Sequence, residues 1–318
     1  MINYKRYNNL TGWIVGLAAC TVYLLTIEPT ASFWDCGEFI ACAYKFEVGH
    51  PPGAPTFLLL GRIISLLTFG NVHLVGMFIN ALSAISSGFA VMFLFWIITF
   101  FDKRFYINNG EELSKGDTLA VLGSGIVGAM AFCFCDSFWF SAVEGEVYGM
   151  SGFFTALIFW LATKWERENT DSKGYRWIIL IAYMIGFSIG VHLLNILAIP
   201  AMGLIYYYKK YKPNWKGLLL TTIISMLVTG GILSVIIPGI IKLFAKFELL
   251  FVNTFGLPFN SGTVFFAFLI VALIIFGLMY SVRKAKPMLN TIILSFAFLL
   301  IGYSTYFILV IRSNADTP

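Results

Sequence analysis

The sequence predicts an all-α polytopic membrane protein, and three observations carry that reading. Hydrophobic residues make up 59% of the 318 and charged residues 12%, about half the charge of a soluble domain. The apolar residues come in continuous runs long enough to cross a bilayer as helices, without the alternation of barrel strands. Basic residues gather in the short segments between alternate runs, which is how cytoplasmic loops are marked.

Taken in order, the runs give about nine candidate spans. They cover residues 10–27, 73–101, 118–136, 146–163, 176–191, 193–208, 217–237, 263–281 and 288–309. The first run, Leu10 to Ile27, lacks the cleavage site of a signal peptide and reads as a span. The run from Trp177 to Tyr208 is too long for one crossing and is expected to break at Val191-His192. Residues 28–72 form a first outer loop with two juxtamembrane helices. One, over 35–47, lies at the surface; the other, PTFLLLGRIISLLTF over 55–69, lies along the interface with Arg62 among its apolar residues. The whole of 1–318 reads as a single transmembrane domain. Its end at Asn314-Ala-Asp-Thr-Pro318 predicts an N-terminal part of a longer chain.

With the N-terminus in the cytoplasm, all of the 21 Lys and Arg except Lys45, Arg62, Lys242, Lys246 and Arg312 fall on the inner side. The acids distribute differently. Glu28, Asp35, Glu38, Glu47, Asp136, Glu144, Glu146, Glu248 and Asp316 fall on the outer side, several at span ends within apolar sequence. Chemistry is therefore expected at the outer membrane–water boundary.

Several functions are excluded. The chain has no Walker loop, no GxGxxG before a helix and no HExxH. It has no basic stripe with interleaved aromatics, so no nucleic acid is expected as partner. Its inner loops are too short for a nucleotide-binding domain. Five cysteines lack zinc or disulfide spacing, and Cys133-Phe-Cys135 reads as packing.

The outer residues carry the candidate site. Asp35 and Glu38, at i and i+3, share a helix face, and such a pair can supply a general base; they can equally cap the helix start. His50, before Pro51-Pro52-Gly53, stands at a rigid corner where it can meet a phosphate or orient a carboxylate, or face water. Glu144 and Glu146 lie where the chain re-enters the membrane, and ionisable groups at such depth usually face a cavity. At i and i+2 they cannot both point the same way, so one is expected at the site and the other as a cap. His192 and Asn195 mark the break between two short spans; they line a cavity or bond between helices. Arg312, after the last span, suits a lipid-linked phosphate, or snorkels.

FWDCGEFIACAYKFEVGHPPGAP (33–55), AVEGEVYGM (142–150) and GVHLLNILAIP (190–200) together carry a resemblance. An acid pair after the first span, a Pro-Pro corner and an interfacial helix resemble the polyprenyl-phosphate-dependent glycosyltransferases of the membrane-embedded GT-C class. The pattern is similar to the bacterial relatives of the animal endoplasmic-reticulum protein O-mannosyltransferase that modifies plexin and receptor-kinase domains. The resemblance implies a GT-C-like helix bundle and inverting transfer of a sugar, expected to be mannose, from a polyprenyl-phosphate donor to Ser/Thr hydroxyls of exported proteins. It implies Asp35 as general base, with Glu38 binding acceptor or holding Asp35, and His50 and Arg312 near the donor phosphate. No cofactor or metal is demanded by the spacing, although His50, Glu144 and His192 could converge on a cation. The implied partners are the lipid-linked donor, an exported acceptor protein and membrane lipid. The implied place is the bacterial inner membrane, with the active site periplasmic. Two other readings stand beside it: a transporter or flippase using the acids as a proton relay, and a non-catalytic envelope scaffold.

Overall fold

The computed structural model describes residues 3–106, 113–168 and 171–313, and every element among them is helical, with no strand. Asp316 and the end at 314–318 lie outside the described residues. The chain divides into two compact units. The first comprises Met1–Arg167, Tyr183–Asn195 and Leu299–Pro318; the second comprises Glu168–Ala182 and Ile196–Phe298.

The first unit opens with α1 (Tyr4–Leu25), capped by the Asn3 side chain, which accepts from Arg6 N. The two expected outer-loop helices follow as α2 (Cys36–Lys45) and α3 (Pro55–Ser65). Helix α2 ends at Phe46 in the left-handed region (φ 58°), where Phe46 N and Glu47 N fold back onto the carbonyls of Ala43 and Cys42. Pro55 stands at the first turn of α3, where its missing N–H costs nothing. Then come α4 (Val75–Tyr106), α5 (Lys115–Cys133), α6 (Asp136–Val143) and α7 (Val147–Arg167). Ser114 and Asp117 form a reciprocal capping box at the start of α5.

Helix α4 is the post of this unit and packs against α1, α5, α6 and α7. Its apolar residues run all round the helix, as expected of a segment surrounded by other helices. Two cores form along it. One gathers Val15, Ala19, Tyr23, Val91, Phe95 and Leu122. The other gathers Phe39 of α2 and Phe57 and Leu58 of α3 with Ile79, Met150 and Val191. Helix α8 (Asp171–Ile189) ends before a turn at 190–192, where the sequence predicts the break.

In the second unit, α9 (Ala198–Lys210) and α10 (Trp215–Gly231) pack as an antiparallel pair, with Asn214 capping α10 through Gly217 N. Helix α11 (Ile237–Leu249) packs on α12 (Ser261–Arg283), and Glu248 accepts from Asn260 N and Thr263 N at the turn between them. Helix α13 (Pro287–Tyr303) leads to α14 (Phe307–Ser313), which belongs to the first unit.

The span count differs from the expected nine. Six helical stretches among the described residues are long and apolar enough to cross a membrane, or seven if α6 and α7, bent by 112°, form one crossing. The expected crossings at 176–191 and 193–208 are missing, and that at 146–163 is met only if the bent α6–α7 pair counts as one. Helix α8 opens on Asp171, Lys173 and Arg176, and α9 has 13 residues, roughly 20 Å of helix against a hydrocarbon core of about 30 Å. The span expected at 217–237 instead continues without a break from Trp215 to Thr254, 40 residues, through two π-helical stretches.

Candidate active site

The first loop, residues 28–72, is built around a corner. Asp35 precedes α2 but its side chain makes no capping bond, and it is 58% exposed. Before it, Trp34 occupies the left-handed region (φ 62°) and is largely exposed. Glu38, one turn into α2, reaches across to the corner. Its Oε1 accepts from His50 N at 2.6 Å and its Oε2 pairs with His50 Nδ1 at 3.0 Å. His50 Nε2 then lies 3.9 Å from Asp35 Oδ2. The imidazole thus stands between two carboxylates, anchored by Glu38 and presented to Asp35.

The electrostatics follow from that placement. The hydrogen bond that His50 donates to Glu38, reinforced by the charges of Glu38 and Asp35, raises the His50 pKa above its ordinary value against some desolvation. The bond from His50 N, aided by the imidazole, holds Glu38 below the usual carboxylate range. Ligand atoms of Asp35, Glu38 and His50 lie within 4.8 Å of one another, close enough to share a cation. Both Glu38 oxygens also lie within hydrogen-bonding distance of His50.

Behind this loop lies the turn Glu144-Gly145-Glu146, between α6 and α7 and outside both helices. Both glutamates are buried, at 5% and 4% exposure. Glu144 accepts a short hydrogen bond from Ser32 Oγ. Glu146 accepts from Val147 N at 3.2 Å, capping α7, and its own carbonyl accepts from Ser83 Oγ. Burial pushes the Glu146 carboxyl up to about 7, with Glu144 and Asp35 adding to the rise and His50 opposing it. Burial also raises Glu144, against the Ser32 bond. One carboxylate was expected at the site and one as a cap; the capping bond belongs to Glu146, and Glu144 holds the first loop.

Other bonds close the loop onto the bundle. Asn80 of α4, fully buried, donates to the carbonyls of both Glu28 and Thr30, each at 2.7 Å. Glu28 N donates to Val143 O at the end of α6. Thr56 N donates to Gly190 O, and Thr56 Oγ1 bonds Phe187 O and Thr305 Oγ1. Sequence reasoning missed Ser32, Asn80 and Thr56. A polar residue inside an apolar helix is the signal that points to Asn80, because it needs a partner there.

The remaining candidates divide. Arg312 reaches the same loop from the far end of the chain: its Nε donates to Phe46 O at 2.6 Å and its guanidinium stacks over the Phe46 ring. Its terminal nitrogens bond no described side chain. His192 is half-buried, 5.4 Å ring to ring from Tyr148 at the start of α7, and burial pushes its pKa down. Asn195 is committed to helix packing. Its Oδ1 accepts from Ser151 and Thr155, and its Nδ2 donates to Ser188 O. Of the two roles open to Asn195 in the sequence, the interhelical one is the one its bonds fill.

These features define a polytopic helical membrane protein with an acid–histidine site at one end of its helices. Residues 35–215 match the family described as the protein O-mannosyl-transferase TMEM260 N-terminal domain, and the chain belongs to that family. It is 30% identical over 183 residues to the protein O-mannosyl-transferase tmem260 of Dictyostelium discoideum, covering 56% of this chain and 20% of that protein. It is 28% identical over 192 residues to the protein O-mannosyl-transferase TMEM260 of Mus musculus, covering 60% of this chain and 24% of that one. The matched region thus spans a quarter or less of these relatives. No solved structure matches the chain. The family's match begins at Asp35, so it includes the acid pair and the His50 corner.

Proposed function

We propose that this chain transfers a sugar, mannose by the names of its relatives, from a polyprenyl-phosphate donor to Ser/Thr hydroxyls of exported proteins. The observation that carries the reading is Asp35: an uncapped, accessible carboxylate beside an imidazolium that Glu38 fixes in place. Asp35 takes the proton of the acceptor hydroxyl as its oxygen attacks the anomeric carbon. The C–O bond to phosphate breaks on the opposite face, the configuration inverts, and the polyprenyl phosphate leaves with the bonding electrons. One base and a cationic phosphate site suffice for this chemistry, unlike the paired carboxylates of glycoside hydrolases.

His50 and Arg312 are the cations of that phosphate site. Arg312 keeps its terminal nitrogens for the anion while Phe46 holds its Nε. Glu38 positions His50. Glu144 and Glu146 hold the loop against α7, and His192 borders the site beside Tyr148. In a bacterial inner membrane this face is periplasmic, where polyprenyl-phosphate sugars meet exported acceptors; donor, acceptor and orientation are parts of the same proposal.

The test is transfer of radiolabelled mannose from polyprenyl-phosphate mannose to an acceptor peptide by the purified chain in lipid nanodiscs. Asp35→Asn is expected to lower the rate by about 10²–10⁴-fold, the usual contribution of a general base. Glu38→Gln, which loosens His50 while leaving the base, is expected to cost less. Equal transfer by wild type and Asp35→Asn would remove the base assignment, and a chain inert with every lipid-linked sugar would remove the transferase reading.

A further inference from the structure

A second site is built at the opposite end of α1, α4 and α7. Helix α7 runs from the candidate active site at Val147 to Arg167, 21 residues or roughly 30 Å away. There the three helices line a half-open cavity of about 580 Å³. Five cations line it: Lys5, Lys103, Arg104, Lys164 and Arg167. Arg104 pairs with Glu166; the other four make no ion pair among the described residues. Three tryptophans form the apolar wall. Trp96 lies 6.2 Å from Trp13 and 5.7 Å from Trp160, ring to ring.

The aromatic groups also fix the cations. Arg104 and Arg167 both lie over the Phe100 ring, at 4.5 and 4.6 Å, Lys164 lies 4.4 Å over Trp160, and Lys103 lies 4.6 Å over Tyr4. Cation–π contact orients each side chain without neutralising it. Like charges converging on one cavity repel, and a bound anion relieves that cost. Guanidinium and ammonium donors held beside an indole wall suit a group that is anionic at one end and apolar at the other.

We propose that this cavity binds a phosphate-ester group, with the apolar part of the ligand against Trp13, Trp96 and Trp160. The site is separate from Asp35, His50 and Arg312, and it stands whether or not the transferase reading does, because its readout is binding.

The probe is dodecyl phosphate below its micellar concentration, titrated calorimetrically into the full chain in nanodiscs of neutral lipid. Inorganic phosphate and dodecanol are the competing arms. Saturable binding of dodecyl phosphate is expected in a chain that carries Arg312→Gln to silence the proposed donor phosphate site, and adding Arg167→Gln or Lys164→Gln is expected to weaken it at least about tenfold. Lys5→Gln, at an exposed position in the first turn of α1, supplies a variant that folds and is expected to weaken binding less. Competition by inorganic phosphate at similar affinity would show that the tryptophans hold no apolar part of the ligand and overturns the proposal; its failure to compete supports an ester with an apolar part. Equal competition by dodecanol, or wild-type binding by the Arg167, Lys164 and Lys5 variants together, overturns the proposal.

Discussion

Asp35 and Glu38 stand one helical turn apart, and His50 divides their work. Both oxygens of Glu38 are taken by His50, one by its backbone N–H and one by its ring, whereas Asp35 makes no capping bond and meets His50 only across 3.9 Å. Sequence spacing puts the two acids on one face and cannot say which is engaged, because the partner is contributed by a corner 12 residues further on. Glu146 makes a different point at this scale. Its buried carboxyl is raised to about 7, so the folded chain holds a proton there that the unfolded chain releases at ordinary carboxylate pH. The stability this gives is full below the ordinary carboxylate value and is lost as pH rises to about 7. Glu146→Gln is therefore expected to raise the thermal midpoint by several degrees at about pH 8 and to change it little at about pH 5. A shift of equal size at both pH values would contradict the protonated, buried carboxyl.

At the scale of elements, the site depends on how short turns seat helices against α4. The Glu144-Gly145-Glu146 turn bends the chain by 112° between α6 and α7, and its glycine is where the turn touches α4. A Cβ at Gly145 would stand 2.8 Å from Asn80 Oδ1 and 3.2 Å from Ile79 Cγ2. Asn80 is the residue whose amide holds the carbonyls of Glu28 and Thr30, so crowding it disturbs the lead-in to Asp35. Gly145→Ala is expected to destabilise the chain by about 1–3 kcal/mol, the usual cost of overpacking a filled interior. Unfolding of the two chains followed by helix circular dichroism in denaturant measures this. A stability equal to wild type would show that the turn has room the structure does not give it. The α2 and α3 pair was legible as two juxtamembrane helices from the Pro-Pro corner and the apolar run at 55–69. Helix α6 was not, because its residues 136–143 are as apolar as a span and only the bend sets them apart.

At the scale of the whole chain, distant segments are brought onto the first loop. Leu309 of α14 packs where Gly53 turns at φ 93°, and Arg312 bonds Phe46. That placement depends on a close crossing of α8 and α13, where a Cβ on Gly302 would lie 2.5 Å from Tyr183 O. A larger side chain there must push the helices apart, since the obstacle is backbone. Gly302→Val is expected to cost about 1–3 kcal/mol of stability and to weaken donor binding more than acceptor binding, because it moves Arg312 and leaves Asp35. Separate KM values for donor and acceptor test it, and an equal rise in both would argue against Arg312 as a donor contact. The sequence placed the break at 190–192 correctly but expected about nine crossings, where six or seven stretches are long and apolar enough. The shortfall comes from α8 and α9, the first polar at its start and the second short.

By itself the sequence determined that this is an all-helical, multiply spanning chain with four of its acids and a histidine corner in a first loop. Those are properties of local composition: apolar length sets what enters lipid, charge sets what stays out, and proline sets where a helix stops. Only the tertiary structure decided which groups meet. Ser32 finds Glu144, Thr56 finds Thr305 and Phe46 finds Arg312 across 112, 249 and 266 residues of chain. No local pattern encodes those pairs, because they follow from the angles at which turns set helices against one another. The same angles left Asp35 uncapped beside His50 and engaged Glu38 with the His50 backbone and ring.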